Sequence, residues 1–299
     1  MYTKIRKLKN GKKREMTNKT SIFGATGFIG DAYCNMYSDD VIPIDRNSLN
    51  AKSNNILYFI STIHNYNVFS NPYLDIETNL THLLRVLENL DKNKDLTFNF
   101  ISSWFVYGET KKLPAKENEY CNPKGFYSIT KRCAEQLLIS YCETHKINYR
   151  ILRLCNVYGL GDSKFSIKRN ALQYLINEVV NGRDINLYNG GEDTRDFLFV
   201  KDVCRAIRIC AESEIKNSIV NIGSGKSRKF IDIMNYVKKK VNSSSSFNPV
   251  KPPEFHKIVQ TDNMYLDVSK LRNLGFSEKY NFWDNIDILI NQNKNLGEK

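Results

Sequence analysis

Short apolar runs alternate with longer stretches of helical spacing along the first half of the chain. Ser21-Ile22-Phe23 reads as a strand that runs into a glycine turn and a helix start at Gly24–Gly30. Val41-Ile42-Pro43-Ile44-Asp45 and Ile56–Ile60 read as further strands, apolar throughout, as strands covered on both faces are. From Asp75 to Leu90 the apolar residues Ile76, Leu80, Leu83, Leu84, Leu87 and Leu90 fall at helical spacing. Leu96–Ser102 reads as a strand, Gly125–His145 as a helix and Tyr149–Leu154 as a strand. Strand and helix in alternation predict an α/β doubly wound parallel sheet with right-handed crossovers.

The second half is less regular. Helices are expected over 167–180, 201–213 and 229–241, with strands at 185–188 and 218–222 and a polar, Ser-rich connection over 242–246. The expected organisation is a Rossmann domain over 20–160, to which 196–215 returns. A smaller substrate-binding lobe takes 161–195 and 216–299. The interval between Asp45 and Ile56 is too short for a strand, a helix and their turns, so one unit of the usual doubly wound order is expected to be missing.

At 299 residues, with 41% hydrophobic and 12% aromatic residues, the chain can bury a large core. No apolar run approaches the roughly 18–20 residues of a membrane span. The N-terminus lacks the apolar stretch of a signal peptide. The seven cysteines are scattered, odd in number and free of Cys-x-x-Cys pairs. This favours reduced thiols in the cytoplasm over a disulfide framework or a metal site. The net charge of +12 is concentrated at one end. Residues 1–19 carry eight basic side chains against Glu15 alone, a net +7, which leaves +5 for the rest. This basic arm lacks the apolar face of a membrane-surface helix. It reads as a flexible extension ahead of Met16, with no nucleic-acid partner expected.

Three segments carry chemistry. Gly24-x-x-Gly27-x-x-Gly30 follows a strand and opens a helix, the context in which a helix N-terminus holds a pyrophosphate. Phe28 and Ile29 lie within that turn. Asp45 ends the next strand, where a carboxylate can accept from an adenosine ribose and would repel a 2′-phosphate. Arg46 beside it could instead pair with one. NAD is therefore expected, with NADP left open. Tyr127 and Lys131 lie four apart and share a helix face. A free phenol is a poor base near neutral pH, and a neighbouring ammonium would lower its pKa. Ser103, at the end of a strand, can hold the oxygen that Tyr127 protonates or deprotonates.

Taken in order, these segments resemble an extended short-chain dehydrogenase/reductase of the nucleotide-sugar epimerase/dehydratase family. The resemblance covers about Thr20 to Phe276. It rests on the glycine turn, Asn79–Glu88, Ser102-Ser103-x-x-Val106-Tyr107-Gly108 and Pro123-x-x-x-Tyr127-x-x-x-Lys131-x-x-x-Glu135. It continues through Arg153-Leu154-x-Asn156-Val157-Tyr158-Gly159, Arg195-Asp196-Phe197 and Asn221-Ile222-Gly223 to Asp267-x-Ser269-Lys270. The resemblance implies catalysis by Ser103, Tyr127 and Lys131, with the last two also meeting the cofactor. It implies a nucleotide-diphosphate sugar held by Ser103, Asn156, Arg195 and Lys257, and a place in polysaccharide biosynthesis. A homodimer through the 75–90 and 125–145 helices is implied as well. Dehydratases of this family carry an acid pair where Trp104 and Phe105 stand, and these rings cannot exchange protons. The expected activity is therefore epimerisation through transient oxidation of a sugar hydroxyl. The alternatives are reduction of a 4-keto sugar nucleotide and, for a chain that had lost catalysis, cofactor binding alone.

Overall fold

The computed structural model describes residues 19–162 and 170–297. The basic arm up to residue 18 lies outside the described residues, as does the start of the helix expected from 167. In chain order the first elements are β1 (Thr20–Phe23), α1 (Phe28–Met36), β2 (Val41–Pro43) and β3 (Asn55–Tyr58). A helical stretch follows as α2 (Tyr73–Ile76), a π turn (Glu77–Thr81) and α3 (His82–Glu88). Next come β4 (Thr97–Ser103), α4 (Phe126–Thr144), β5 (Asn148–Leu154) and β6 (Asn156–Tyr158). The rest comprises α5 (Ala171–Val180), β7 (Ile185–Tyr188), β8 (Thr194–Arg195), β9 (Phe197–Phe199), α6 (Val200–Glu212) and β10 (Ser218–Ile222). After them stand β11 (Arg228–Lys229), α7 (Phe230–Val241), β12 (Phe247–Val250), α8 (Glu254–Val259), β13 (Asn263–Met264), α9 (Ser269–Asn273) and α10 (Phe282–Gly297).

Six strands form one parallel sheet in the order β2-β1-β3-β4-β5-β10. Alternating side chains feed two cores, one on each face. Leu57 joins the core that includes Val203 and Ile207 of α6. Its neighbours Ile56 and Tyr58 join the core with Leu83 of α3 and Leu138 of α4. This is the doubly wound fold the sequence pattern predicts. The sheet ends at β2, so the unit expected to be missing beyond it is missing. Chain order reverses between β1 and β3, and ligands bind at the carboxyl ends of the strands beside such a reversal.

One strand lies elsewhere than expected. Ser218–Ile222, placed in the smaller lobe by the sequence pattern, pairs along its whole length with β5 and completes the large sheet. The return to the large domain thus runs on through β10. The buried Arg150 holds this edge by donating to the carbonyls of Ala211, Ser213 and Ile215. The smaller lobe is built from β7 paired with β12 and from β11-β8-β13. β7 stands where the sequence predicts a strand, whereas the other four, of two to four residues, carry too little periodicity to be read from sequence.

Candidate active site

The glycine turn sits at the carboxyl end of β1. Gly24 has φ +82°, and a side chain there would press on Phe59 and the Ile60 amide. A Cβ on Gly30 would lie 2.2 Å from the Gly24 carbonyl oxygen, so only glycine lets α1 start so close to the turn. Gly27 differs. A Cβ there would meet no protein atom closer than 3.5 Å. Its missing side chain instead leaves room in the cavity that it lines. No side chain caps α1, and its N-terminal amides face this turn. The cradle fits a dinucleotide pyrophosphate, which Gly27, Phe28, Ile29 and Gly30 could hold.

The same cavity, of about 490 Å³, reaches the carboxyl ends of β4 and β5 and one face of α4. Gly24, Gly27, Phe28, Ile29, Gly30, Ser103, Tyr127 and Lys131 all line it, so the structure brings these predicted residues together. Tyr127, Lys131 and Glu135 recur once per turn on the buried side of α4. The Glu135 carboxylate accepts from Ser102 at 2.6 Å, Arg153 at 2.8 and 3.0 Å and Arg132 at 2.8 Å. This network fixes α4 to β4 and β5. Gly125, just before the helix, has Asn65 where its side chain would stand, with a Cβ 2.1 Å from Asn65 Oδ1. That oxygen accepts from the Ser128 amide at 3.2 Å, so Asn65 caps α4 from another segment.

The electrostatics differ from the sequence expectation. Burial pushes the Tyr127 phenol up to about 12, although hydrogen bonds with Ser103 and Ser61 pull the other way. Burial also brings Lys131 down to about 7, opposed by Glu135. The Lys131 Nζ donates to the Ile101 carbonyl at 2.6 Å and lies 4.1 Å from the centre of the Phe100 ring. Desolvation of both groups thus outweighs the effect expected of the ammonium on the phenol.

Sequence reasoning missed Ser61. It follows β3, lines the cavity, and donates to Asn79 Oδ1 at 3.1 Å. The π turn aims Asn79 at Ser61, Thr62 and Thr130. The signal was its place at a strand's carboxyl end beside the chain reversal.

Asp45 and Arg46 stand apart. Both are exposed, and neither lines this cavity. The Asp45 carboxylate accepts from the Asn47 amide at 2.9 Å, forming a local turn. Its strand does pair with β1 beside the glycine turn.

A second cavity, of about 310 Å³, holds Asn156 and Arg195. The Arg195 side chain is buried and donates to the carbonyls of Thr194 and Asp262, both at 2.9 Å. Among the described residues it forms no ion pair. The neighbouring Asp196 instead accepts from Ser224, from the Gly225 amide and from the Leu266 amide, pinning three segments together. Burial lowers Arg195 to about 10, opposed by Asp193 and Asp262. A buried cation whose hydrogen bonds run to two backbone carbonyls suits a phosphate. Asn156 Nδ2 donates to the Asp196 carbonyl at 3.1 Å.

Lys257 is not brought to this cavity. It lies on α8, pairs with Glu254 and lines a separate cavity of about 610 Å³. Its neighbour His256 lines the Arg195 cavity instead. Adjacent helical residues point about 100° apart, and six residues are too few for a periodic pattern to mark this stretch as helical. Burial, then Arg195, brings His256 down to about 4, opposed by Asp262. Its Nδ1 is buried without a hydrogen-bond partner among the described residues.

Comparison with known proteins decides the family. Residues 49–223 match the model of the NAD dependent epimerase/dehydratase family. The chain belongs to that family. This epimerase/dehydratase chain is 28% identical over 241 residues to a Methanocaldococcus jannaschii protein assigned as a UDP-glucose 4-epimerase. The match covers 80% of this chain and 77% of the relative. The Thermotoga maritima UDP-glucose 4-epimerase solved with UDP-glucose superposes with a TM-score of 0.83 at 20% identity. That superposition covers 93% of this chain and 99% of the other. The Bacillus cereus UDP-glucuronic acid 4-epimerase, solved with UDP-glucuronic acid and NAD, gives 0.81 at 21% identity over 93% of this chain and 99% of the other. These likenesses share the fold of the family member described here.

Proposed function

We propose that the protein is a nucleotide-sugar epimerase that uses bound NAD. One observation carries the reading. The cavity with the glycine cradle also holds Ser103, Tyr127 and Lys131, and Phe105 joins this centre to the cavity of Arg195. The Phe105 ring lies 5.9 Å from the Tyr127 ring and lines the Arg195 cavity. A nucleotide sugar fits with its diphosphate at Arg195 and Asn156 and its sugar turned toward Tyr127.

A bound NAD would supply reversible hydride transfer at one sugar carbon. The chain does the rest. Ser103 hydrogen-bonds the sugar oxygen. Tyr127 takes that oxygen's proton as a phenolate, a form favoured by positive charge brought into the cavity with the cofactor. After the keto sugar turns, Tyr127 returns the proton while Ser103 holds the same oxygen. Trp104 and Phe105 offer no acid or base, so elimination of water has no proton carrier at those positions. NAD is preferred on account of Asp45, while the exposed Arg46 favours reduction with NADPH as the second reading. Exposed apolar side chains support a homodimer: Tyr73, Leu74 and Ile76 on one helix, Phe126 and Ile129 on the other.

The test is incubation of purified protein and NAD with a panel of nucleotide sugars, read by chromatography and NMR. An epimer formed with no net change in NADH supports the reading. Consumption of NAD(P)H in step with a 4-keto sugar nucleotide establishes reduction instead.

A further inference from the structure

Trp104 and Phe105 do more than exclude acid-base chemistry. Their rings stack at 4.0 Å between centroids, 24° from parallel. The buried Trp104 lies under the Arg195 guanidinium, 5.6 Å from it. The half-buried Phe105 meets Tyr127 edge-on. The pair thus spans the interval from the phosphate-binding cation to the proton-transfer phenol. In the reading above, that interval is where the sugar ring rests.

We propose that Phe105, backed by Trp104, is the floor on which the sugar ring lies, and that it selects a neutral hexosyl group over a uronic acid. This inference rests on the nucleotide-sugar reading. The chemistry is that of a C–H-rich sugar face on an aromatic face, which buries apolar surface without directional hydrogen bonds. Such a floor holds the ring and still lets it turn, as epimerisation requires. A uronate would bring a carboxylate onto the same surface, and burying an unpaired charge is costly. Beyond polar side chains such as His64, Asn186, Tyr188 and Gln260, the cavity has little to offer it. Among the described residues that line it, Arg195 is the one lysine or arginine, and the diphosphate claims it. His256 is held neutral at physiological pH by its depressed pKa.

The test measures binding by calorimetry to the NAD-loaded protein at fixed salt. The probes are UDP, GDP, dTDP, CDP and ADP, each alone and as its glucose conjugate, with UDP-glucuronate added. Wild type should bind the preferred glucose conjugate about tenfold tighter than the matching diphosphate, a gain of about 1.4 kcal/mol. UDP-glucuronate should show no gain over UDP. Phe105→Ser should abolish the sugar gain while leaving diphosphate and NAD affinity within about twofold; Phe105→Leu should keep part of it. A sugar gain that survives Phe105→Ser overturns the floor, as does a wild type that binds UDP-glucuronate as well as UDP-glucose. Loss of diphosphate binding in Phe105→Ser assigns the ring to structure and also overturns it. Failure of wild type to bind any diphosphate would overturn the nucleotide-sugar reading itself, a result distinct from the others.

Discussion

The two cavities are assembled differently. The one around Tyr127 draws on strand ends and one helix face, where short motifs suffice. Gly24 to Gly30 follow one strand, Ser103 ends another, and Tyr127 and Lys131 share one side of α4. The one around Arg195 is gathered from the β3–α2 connection, the end of β4, β6, β7, β8 and α8. The first is set by the backbone of the large parallel sheet. The second depends on where short strands and a six-residue helix come to rest. In the proposed reading, chemistry is thus placed on the sheet, and choice of substrate on the part that loop changes can rebuild.

Removing the phenol hydroxyl should break the first cavity most severely. Tyr127→Phe should lower kcat by about 10²–10⁴-fold while thermal stability and NAD affinity stay near wild type. Near-full turnover would remove Tyr127 from proton transfer. In the second cavity the expected change is in binding. Arg195→Ala should raise the KM for the sugar nucleotide by about tenfold to a hundredfold, from the loss of charged hydrogen bonds. Its NAD affinity should not move. An unchanged KM would take the diphosphate away from Arg195.

A third substitution sets stability against activity inside the first cavity. Lys131 is charged in the unfolded chain up to its ordinary pKa near ~10.4 but loses its proton in the fold at about 7. Below pH 7 the fold therefore buries a charge, at full cost. As pH rises from 7 toward 10 that cost declines, because the folded form is already neutral. Lys131→Met should raise the melting temperature most at pH 6, with a gain that shrinks by pH 9, while turnover collapses at both. A pH-independent gain would contradict the depressed pKa. The smallest effect concerns the cap on α4. Gly125→Ala must displace Asn65 and should cost about 1–3 kcal/mol in urea unfolding. Paired with Asn65→Gly, the same substitution should cost much less than alone. Simple additivity of the two would show that they do not share space.

What was legible in the sequence follows the same division. The parallel sheet, the missing unit after β2 and the gathering of Ser103, Tyr127 and Lys131 at one cavity could be read because buried strands are apolar runs and helices repeat. Ser218–Ile222 was read as a strand but placed in the wrong lobe, because strand pairing is not written in local pattern. Lys257 was expected at the diphosphate on the strength of the family resemblance. The helix Glu254–Val259 turns it outward and puts His256 inside, and six residues carry too little periodicity to reveal that. Ser61 was overlooked because serine at a strand end is ordinary. Its importance lies in what Asn79 and Tyr127 bring to it from elsewhere.

The shortened edge of the sheet has a consequence for solubility. An outermost strand offers its free amides and carbonyls to any passing extended chain. Here that strand is three residues long and ends in proline. The Ile44 amide points inward to the Ile22 carbonyl, so by alternation the Pro43 nitrogen faces outward, where it has no hydrogen to donate. At the opposite edge Lys270 covers the strand by donating to Ser218 and to the Ile219 carbonyl. Losing a whole strand-and-helix unit thus leaves an edge that is short and ends in a residue with no amide hydrogen to offer a partner strand.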